Sequence, residues 1–217
     1  FNYSFDENYK EQKILNEILK GDVARSIKRN MLEDKPDKNC VVCQRRTIDD
    51  TYFSYYKDHF NSKVLYDDID YLDEDAFDLR MPDLHWSNVC NLRCVMCTPS
   101  QSSLIAKDEG VFIKPVQKDT IEEITKMILE KQYDIKEVYM SGGEPFYIPY
   151  NNQLLQKINN KNIPLRINSN MHWDKNNKLF QTLQTFNNVE LTMSVDAMGD
   201  KFEYIRNGSN WNTFINN

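Results

Sequence analysis

Three of the chain's five cysteines fall within eight residues, as Cys90-Asn-Leu-Arg-Cys94-Val-Met-Cys97, at the spacing C-x3-C-x2-C. A thiolate is a soft ligand that suits iron–sulfur clusters, zinc and Cu(I). Three thiolates on one short loop can converge on one metal centre. A four-iron cluster is usually held by four cysteines, so three local ligands would leave one iron open to something else. An open coordination position is the mark of a catalytic metal site. The same spacing also allows a zinc site completed from elsewhere, or three structural cysteines in a loop. A second pair, Cys40-Val-Val-Cys43, offers only two local thiols. It reads as half of a zinc or cluster site, as a redox pair, or as two packed residues.

Four polar motifs follow the cysteines: Ser141-Gly142-Gly143-Glu144-Pro145, Asn168-Ser169-Asn170, Ser194-Val195-Asp196-Ala197 and Tyr204-Ile205-Arg206. Glycines directly after a strand let the backbone approach a ligand closely and take torsions closed to other residues. A backbone carbonyl there, or the Glu144 carboxylate, can accept a charge-assisted bond from a cation. Read alone, Asn168 to Asn170 is a strand-end Asx turn. Ser194 and Asp196 read as polar residues tying down a loop. Arg206 is either a helix-surface charge or a guanidinium that forks onto a carboxylate. His85, His172 and Trp173 have no partner spacing that marks them for catalysis.

The octapeptide CNLRCVMC resembles the radical S-adenosylmethionine (radical SAM) signature, C-x3-C-x-φ-C, with Met96 as the bulky apolar φ. The four polar motifs occur in that family's order. The likeness covers roughly residues 76–217 and is nearest to members that carry a C-terminal SPASM or twitch extension. The resemblance implies a [4Fe–4S] cluster on Cys90, Cys94 and Cys97, with S-adenosylmethionine chelating the fourth iron. It implies that Met96 contacts the adenine and that Gly142, Gly143 and Glu144 hold the ammonium group. Asn168 and Asn170 would bond the ribose or the methionyl carboxylate, and Ser194, Asp196 and Arg206 would also meet this ligand. The implied activity is reductive cleavage of S-adenosylmethionine to a 5′-deoxyadenosyl radical, which abstracts hydrogen from a substrate. In SPASM and twitch members that substrate is often a peptide or protein. A one-electron donor such as flavodoxin or ferredoxin would be a partner. Two positions depart from the family pattern: Met171 stands where many members have glycine, and Asn207 separates Arg206 from Gly208. A reading from a different class is a non-catalytic metal-binding module, zinc or iron–sulfur, with Cys40 or Cys43 as a fourth ligand.

These residues need a scaffold, and the hydrophobic pattern describes one. Residues 84–89, 137–140, 165–167 and 189–195 read as strands. Residues 100–107, 119–131, 151–159 and 174–186 read as helices between them, and a last helix starts near Lys201 and runs towards the end. Alternating strands and helices mean a parallel sheet with covering helices. The resemblance names it a partial (β/α)6 barrel, of which about four units are present and the rest cut off at the C-terminus. Barrel sites lie at the C-terminal ends of strands, so the cysteine loop, Gly142, Asn168 and Asp196 should face one another. Before the barrel, residues 1–75 form an N-terminal helical segment, with amphipathic helices over 8–20 and 22–31, Cys40 and Cys43, and an acidic linker over 67–78. The core spans residues 76–217.

Composition narrows the classes. The net charge is −6 with no Lys/Arg-dense stretch, which argues against nucleic-acid binding. No apolar run approaches the ~20 residues of a membrane-spanning helix. No signal peptide is visible, although the chain starts at Phe1 rather than Met, which leaves room for a removed leader. Five cysteines in clustered spacings are not a disulfide framework. Free thiolates imply a reducing compartment, the cytoplasm.

Overall fold

Leu84, Val138, Met140, Leu165 and Ile167 alternate with polar neighbours, and that alternation gives the sheet one apolar face. The computed structural model describes residues 20–33, 35 and 79–217. The chain divides into two units, Phe1–Asp78 and Leu79–Asn217. In chain order the described elements are α1 (Asp22–Leu32), β1 (Asp83–Leu84), β2 (Arg93–Cys94), α2 (Ser103–Asp108), α3 (Lys118–Lys131), β3 (Val138–Met140), a 3-10 turn (Pro145–Tyr147), α4 (Pro149–Lys157), β4 (Leu165–Ser169), α5 (Lys178–Leu183), β5 (Val189–Met193), α6 (Asp200–Ile205), β6 (Arg206–Asn207) and α7 (Trp211–Asn216). The first unit contributes α1. The expected helix over 8–20, Cys40, Cys43 and the acidic run lie outside the described residues.

In the second unit four strands pair in the order β1-β3-β4-β5, every pair parallel. This is the α/β architecture with a parallel sheet that the alternation of elements predicts. Register places Leu84, Met140, Ile167 and Leu191 in one row. The first three are no more than 3% exposed. Ile121 and Ile128 of α3, Leu154 and Leu155 of α4, and Leu179 and Leu183 of α5 join them in one core. Each such side chain contributes about 1.5–3 kcal/mol by leaving water. The neighbouring row, Asp83, Tyr139, Arg166 and Glu190, is polar. There Arg166 pairs with buried Glu137 at 3.1 Å, and its guanidinium lies 4.3 Å above the Tyr139 ring.

Several elements differ from the sequence expectation, each for a local reason. The strand expected over 84–89 has only two residues in its regular ladder. Beyond Leu84 the chain still accepts bonds from the β3 loop, at Ser87 O from Gly143 N and at Val89 O from Glu144 N. Gly142, at φ 118°, breaks the regular pairing between them. The helix expected over 174–186 begins late, because Asn177 caps it through Leu179 N at 2.8 Å. Asp174 makes a separate turn ahead of it, accepting from Asn176 N at 2.6 Å. The last helix does not run on. It stops at Ile205, where Arg206 leaves to pair antiparallel with Cys94. Gly208, at φ 91°, turns the chain, and Asn210 caps α7 by accepting from Thr213 N at 2.9 Å. Phe202, Trp211 and Phe214 pack on one another with centroids 4.8–5.6 Å apart. Among the described residues no helix is long and apolar enough to cross a membrane.

Candidate functional site

The cysteine loop is held from two sides. Leu92, 1% exposed, anchors its middle in the interior. Ser102 Oγ donates to Leu92 O at 2.7 Å and accepts from Ile105 N at 3.4 Å, so one hydroxyl fixes the loop and caps α2. Ser103 Oγ accepts from Cys90 N at 3.2 Å. On the other side, β2 pairs with β6, with Cys94 opposite Arg206, and Val95 N donates to Ile205 O at 2.9 Å. The roles of Ser102 and Ser103 escaped the sequence reading. The available signal was a Ser-Ser pair immediately before an apolar helical run.

All three thiols on the loop are free; Cys94 is buried and Cys90 and Cys97 are half-buried. Burial pushes the Cys94 thiol up to about 11, with the neighbouring Cys97 adding to the shift and Arg206 opposing it. Burial also raises the Cys90 thiol, against the backbone bond at Leu92.

The two glycines of the next loop are required by close approach. A Cβ on Gly143 would stand 2.1 Å from Val89 O, and one on Gly142 would stand 2.8 Å from His85 Cδ2. The loop after β3 therefore lies directly against the segment that enters the cysteine loop. Glu144 follows, 1% exposed. Its carboxylate accepts from Asn170 N at 2.7 Å, Ser169 Oγ at 2.9 Å and Phe146 N at 3.3 Å. Burial pushes its pKa up to about 7 despite those donors. The carboxylate is thus turned inward to the end of β4.

Asn170 carries that anchorage to the cysteines. Its Nδ2 donates to Asn91 Oδ1 at 2.9 Å and lies 3.9 Å from Cys90 Sγ. Asn91 Nδ2 donates to His172 O at 2.9 Å, and Tyr147 Oη donates to the same carbonyl at 3.0 Å. The His172 ring bridges Asn170 O, at 2.8 Å, and the Asn210 backbone. His172 is therefore a junction between the loops.

Arg206 reaches the other sulfur. Its Nη1 stands 3.9 Å from Cys94 Sγ, and its Nε pairs with Asp196 Oδ2 at 2.7 Å. The remaining expected residues engage other groups. Asn168 donates to Tyr139 Oη at 2.5 Å on the polar sheet face. Ser194 donates its N–H to Ser169 O at 2.8 Å, which extends the β4–β5 pairing by one residue. Met96, immediately before Cys97, is 50% exposed. The structure thus brings Cys90, Asn170 and Glu144 into one chain of contacts and Cys94, Arg206 and Asp196 into another.

A family model described as Radical SAM superfamily matches residues 84–217, more than half of the chain. The chain belongs to the radical SAM superfamily. Comparison with curated proteins finds no significant match. In this radical SAM chain Met171 takes φ 61°, the conformation that suits the glycine many members have there. Asn207 takes a ladder position opposite Arg93, so the residue inserted before Gly208 lengthens the ribbon.

The donor set fits the cluster this superfamily implies. Three free thiols on one clamped loop match three irons, with a side-chain N–H aimed at each of two sulfurs. Among the described residues no three His, Cys, Asp or Glu side chains gather closely enough to hold a single ion.

Proposed function

We propose that this chain holds a [4Fe–4S] cluster on Cys90, Cys94 and Cys97 and, with S-adenosylmethionine, performs radical chemistry on a peptide or protein. When bound, the cluster and S-adenosylmethionine supply one-electron cleavage of the sulfonium and a 5′-deoxyadenosyl radical that takes a hydrogen atom from the substrate. The supporting observation is a loop of three free thiols clamped by α2 and β6, with Asn170 at one sulfur and Arg206 at another.

The chain's own residues bind and orient. Ser102 and Ser103 fix the loop so that its thiols are presented without reorganisation. Gly142 and Gly143 bring the main chain to the base of that loop, where a carbonyl can accept from an ammonium group. Glu144 acts one step back, holding Asn170. Asn168 and Ser194, at the ends of β4 and β5, are the polar groups for the ribose and carboxylate. Half-exposed Met96 offers apolar surface to the adenine. The peptide or protein substrate rests on the resemblance to SPASM and twitch members, as does a flavodoxin or ferredoxin as electron donor. Ligands that must stay reduced suit the cytoplasm.

The test is anaerobic reconstitution followed by an assay for dithionite-dependent 5′-deoxyadenosine. The chain should form it, and Cys94→Ala should not. No product, or equal product from the variant, rejects the reading.

A further inference from the structure

We propose that Arg206, balanced by Asp196, sets the reduction potential of the cluster on Cys90, Cys94 and Cys97. This rests on the cluster reading above and adds a role to two residues first expected to meet S-adenosylmethionine. The backbone of Arg206 is the ladder partner of Cys94, so register alone keeps the two residues side by side. The side chain then faces two groups: Nη1 donates to Cys94 Sγ at 3.9 Å, and Nε lies 2.7 Å from Asp196 Oδ2 as an ion pair without hydrogen-bond geometry. The Arg206 side chain is 12% exposed and that of Asp196 is 34%. A guanidinium stays charged at any working pH. Buried charges are screened far less than surface ones. A cluster that accepts an electron becomes more negative, so a fixed positive charge at one of its sulfurs favours the reduced form. The Asp196 carboxylate opposes part of that field. Stability alone gives no reason for the pair, since the β2–β6 ribbon is joined through main-chain bonds and a buried ion pair is weak evidence of net stabilisation.

The two charges must therefore act with opposite sign. Removing the guanidinium lowers the potential and removing the carboxylate raises it. A structural strut would move both variants the same way, through loss of loop order. Asn170, a neutral donor at Cys90, adds to the same bias without a net charge.

The experiment is an EPR-monitored redox titration of the reconstituted full chain without S-adenosylmethionine. In Arg206→Gln the ratio of reduced to oxidised cluster at fixed poise should fall about tenfold, a shift of about 59 mV to more negative potential. In Asp196→Asn the ratio should rise. In Arg206→Lys, which keeps the charge, it should stay within about twofold of the unsubstituted chain. Should Arg206→Gln fail to load iron, a raised ratio in Asp196→Asn beside an unmoved one in Arg206→Lys still decides. Shifts of the same sign, or no shift beyond twofold, overturn the inference and leave the proposed function standing. The opposed shifts without 5′-deoxyadenosine formation would sink the proposed function and keep the inference. An unsubstituted chain that assembles no four-iron cluster overturns both.

Discussion

Glu144 shows how one side chain couples two motifs. Its carboxylate is buried among three donors, and burial still lifts its pKa to about 7. The folded form therefore holds a proton that the unfolded chain releases near pH 4.5. The stability this proton linkage contributes is fully present below about pH 4.5 and is lost as pH rises to about 7, by about 3 kcal/mol in all. Glu144→Gln has no such proton, so the difference in unfolding free energy between the two proteins should change by about that amount between pH 4.5 and 7.5 and stay flat above. Chemical denaturation across that range reads it, and parallel curves would refute it. Met171 poses a contest of magnitudes. Its φ of 61° costs about 1–2 kcal/mol for a residue with a Cβ. Its side chain is 2% exposed, and emptying such a site costs about 2–5 kcal/mol. Packing wins, so Met171→Gly should lower the urea midpoint even though it restores the more usual glycine. A raised midpoint would mean that the backbone strain is the larger effect.

Elements decide where the glycines matter. Gly143 has backbone atoms of Val89 and Asn88 within 2.6 Å of any added Cβ, and backbone cannot swing aside as a flexible side chain can. Gly110 has φ +66° but nothing within 4 Å. Gly110→Ala should therefore cost about 1 kcal/mol, through torsion alone. Gly143→Ala should cost several times more, since it pushes the β3 loop away from the entry to the cysteine loop. Thermal melting compares them, and equal costs would contradict the close approach. At this scale the sequence was legible where periodicity was long. Residues 119–131 and 189–195 showed their helix and strand through repeated apolar positions, close to the observed α3 and β5. The β2–β6 ribbon was not legible. Two-residue strands carry no period, and their pairing is set by tertiary contact between Cys94 and Arg206. The end of α6 was hidden for the same reason, because the residue that stops it does so by joining that ribbon.

For the molecule as a whole, chain order and fold agree. A parallel sheet delivers the end of each strand to one edge, and the cysteine loop, the glycine loop, Asn170 and Arg206 meet there by way of named bonds. Spacing alone left zinc, cluster and packed cysteines open for residues 90–97. The features that support the cluster reading are tertiary: two serines at the start of α2, an amide just beyond β4 and a guanidinium from β6. His172 could not be assigned from sequence, because its function as a junction lies in its backbone carbonyl and in contacts to residues far along the chain. In the proposed function three cysteines hold four irons and leave one of them different from the rest. Mössbauer spectroscopy of the iron-57 reconstituted chain, recorded before and after addition of S-adenosylmethionine, tests it most directly. Four irons per chain are expected, with one site changing its isomer shift when the nucleoside is added. Four irons that stay alike, or a chain that takes up a single zinc and no iron, would contradict it.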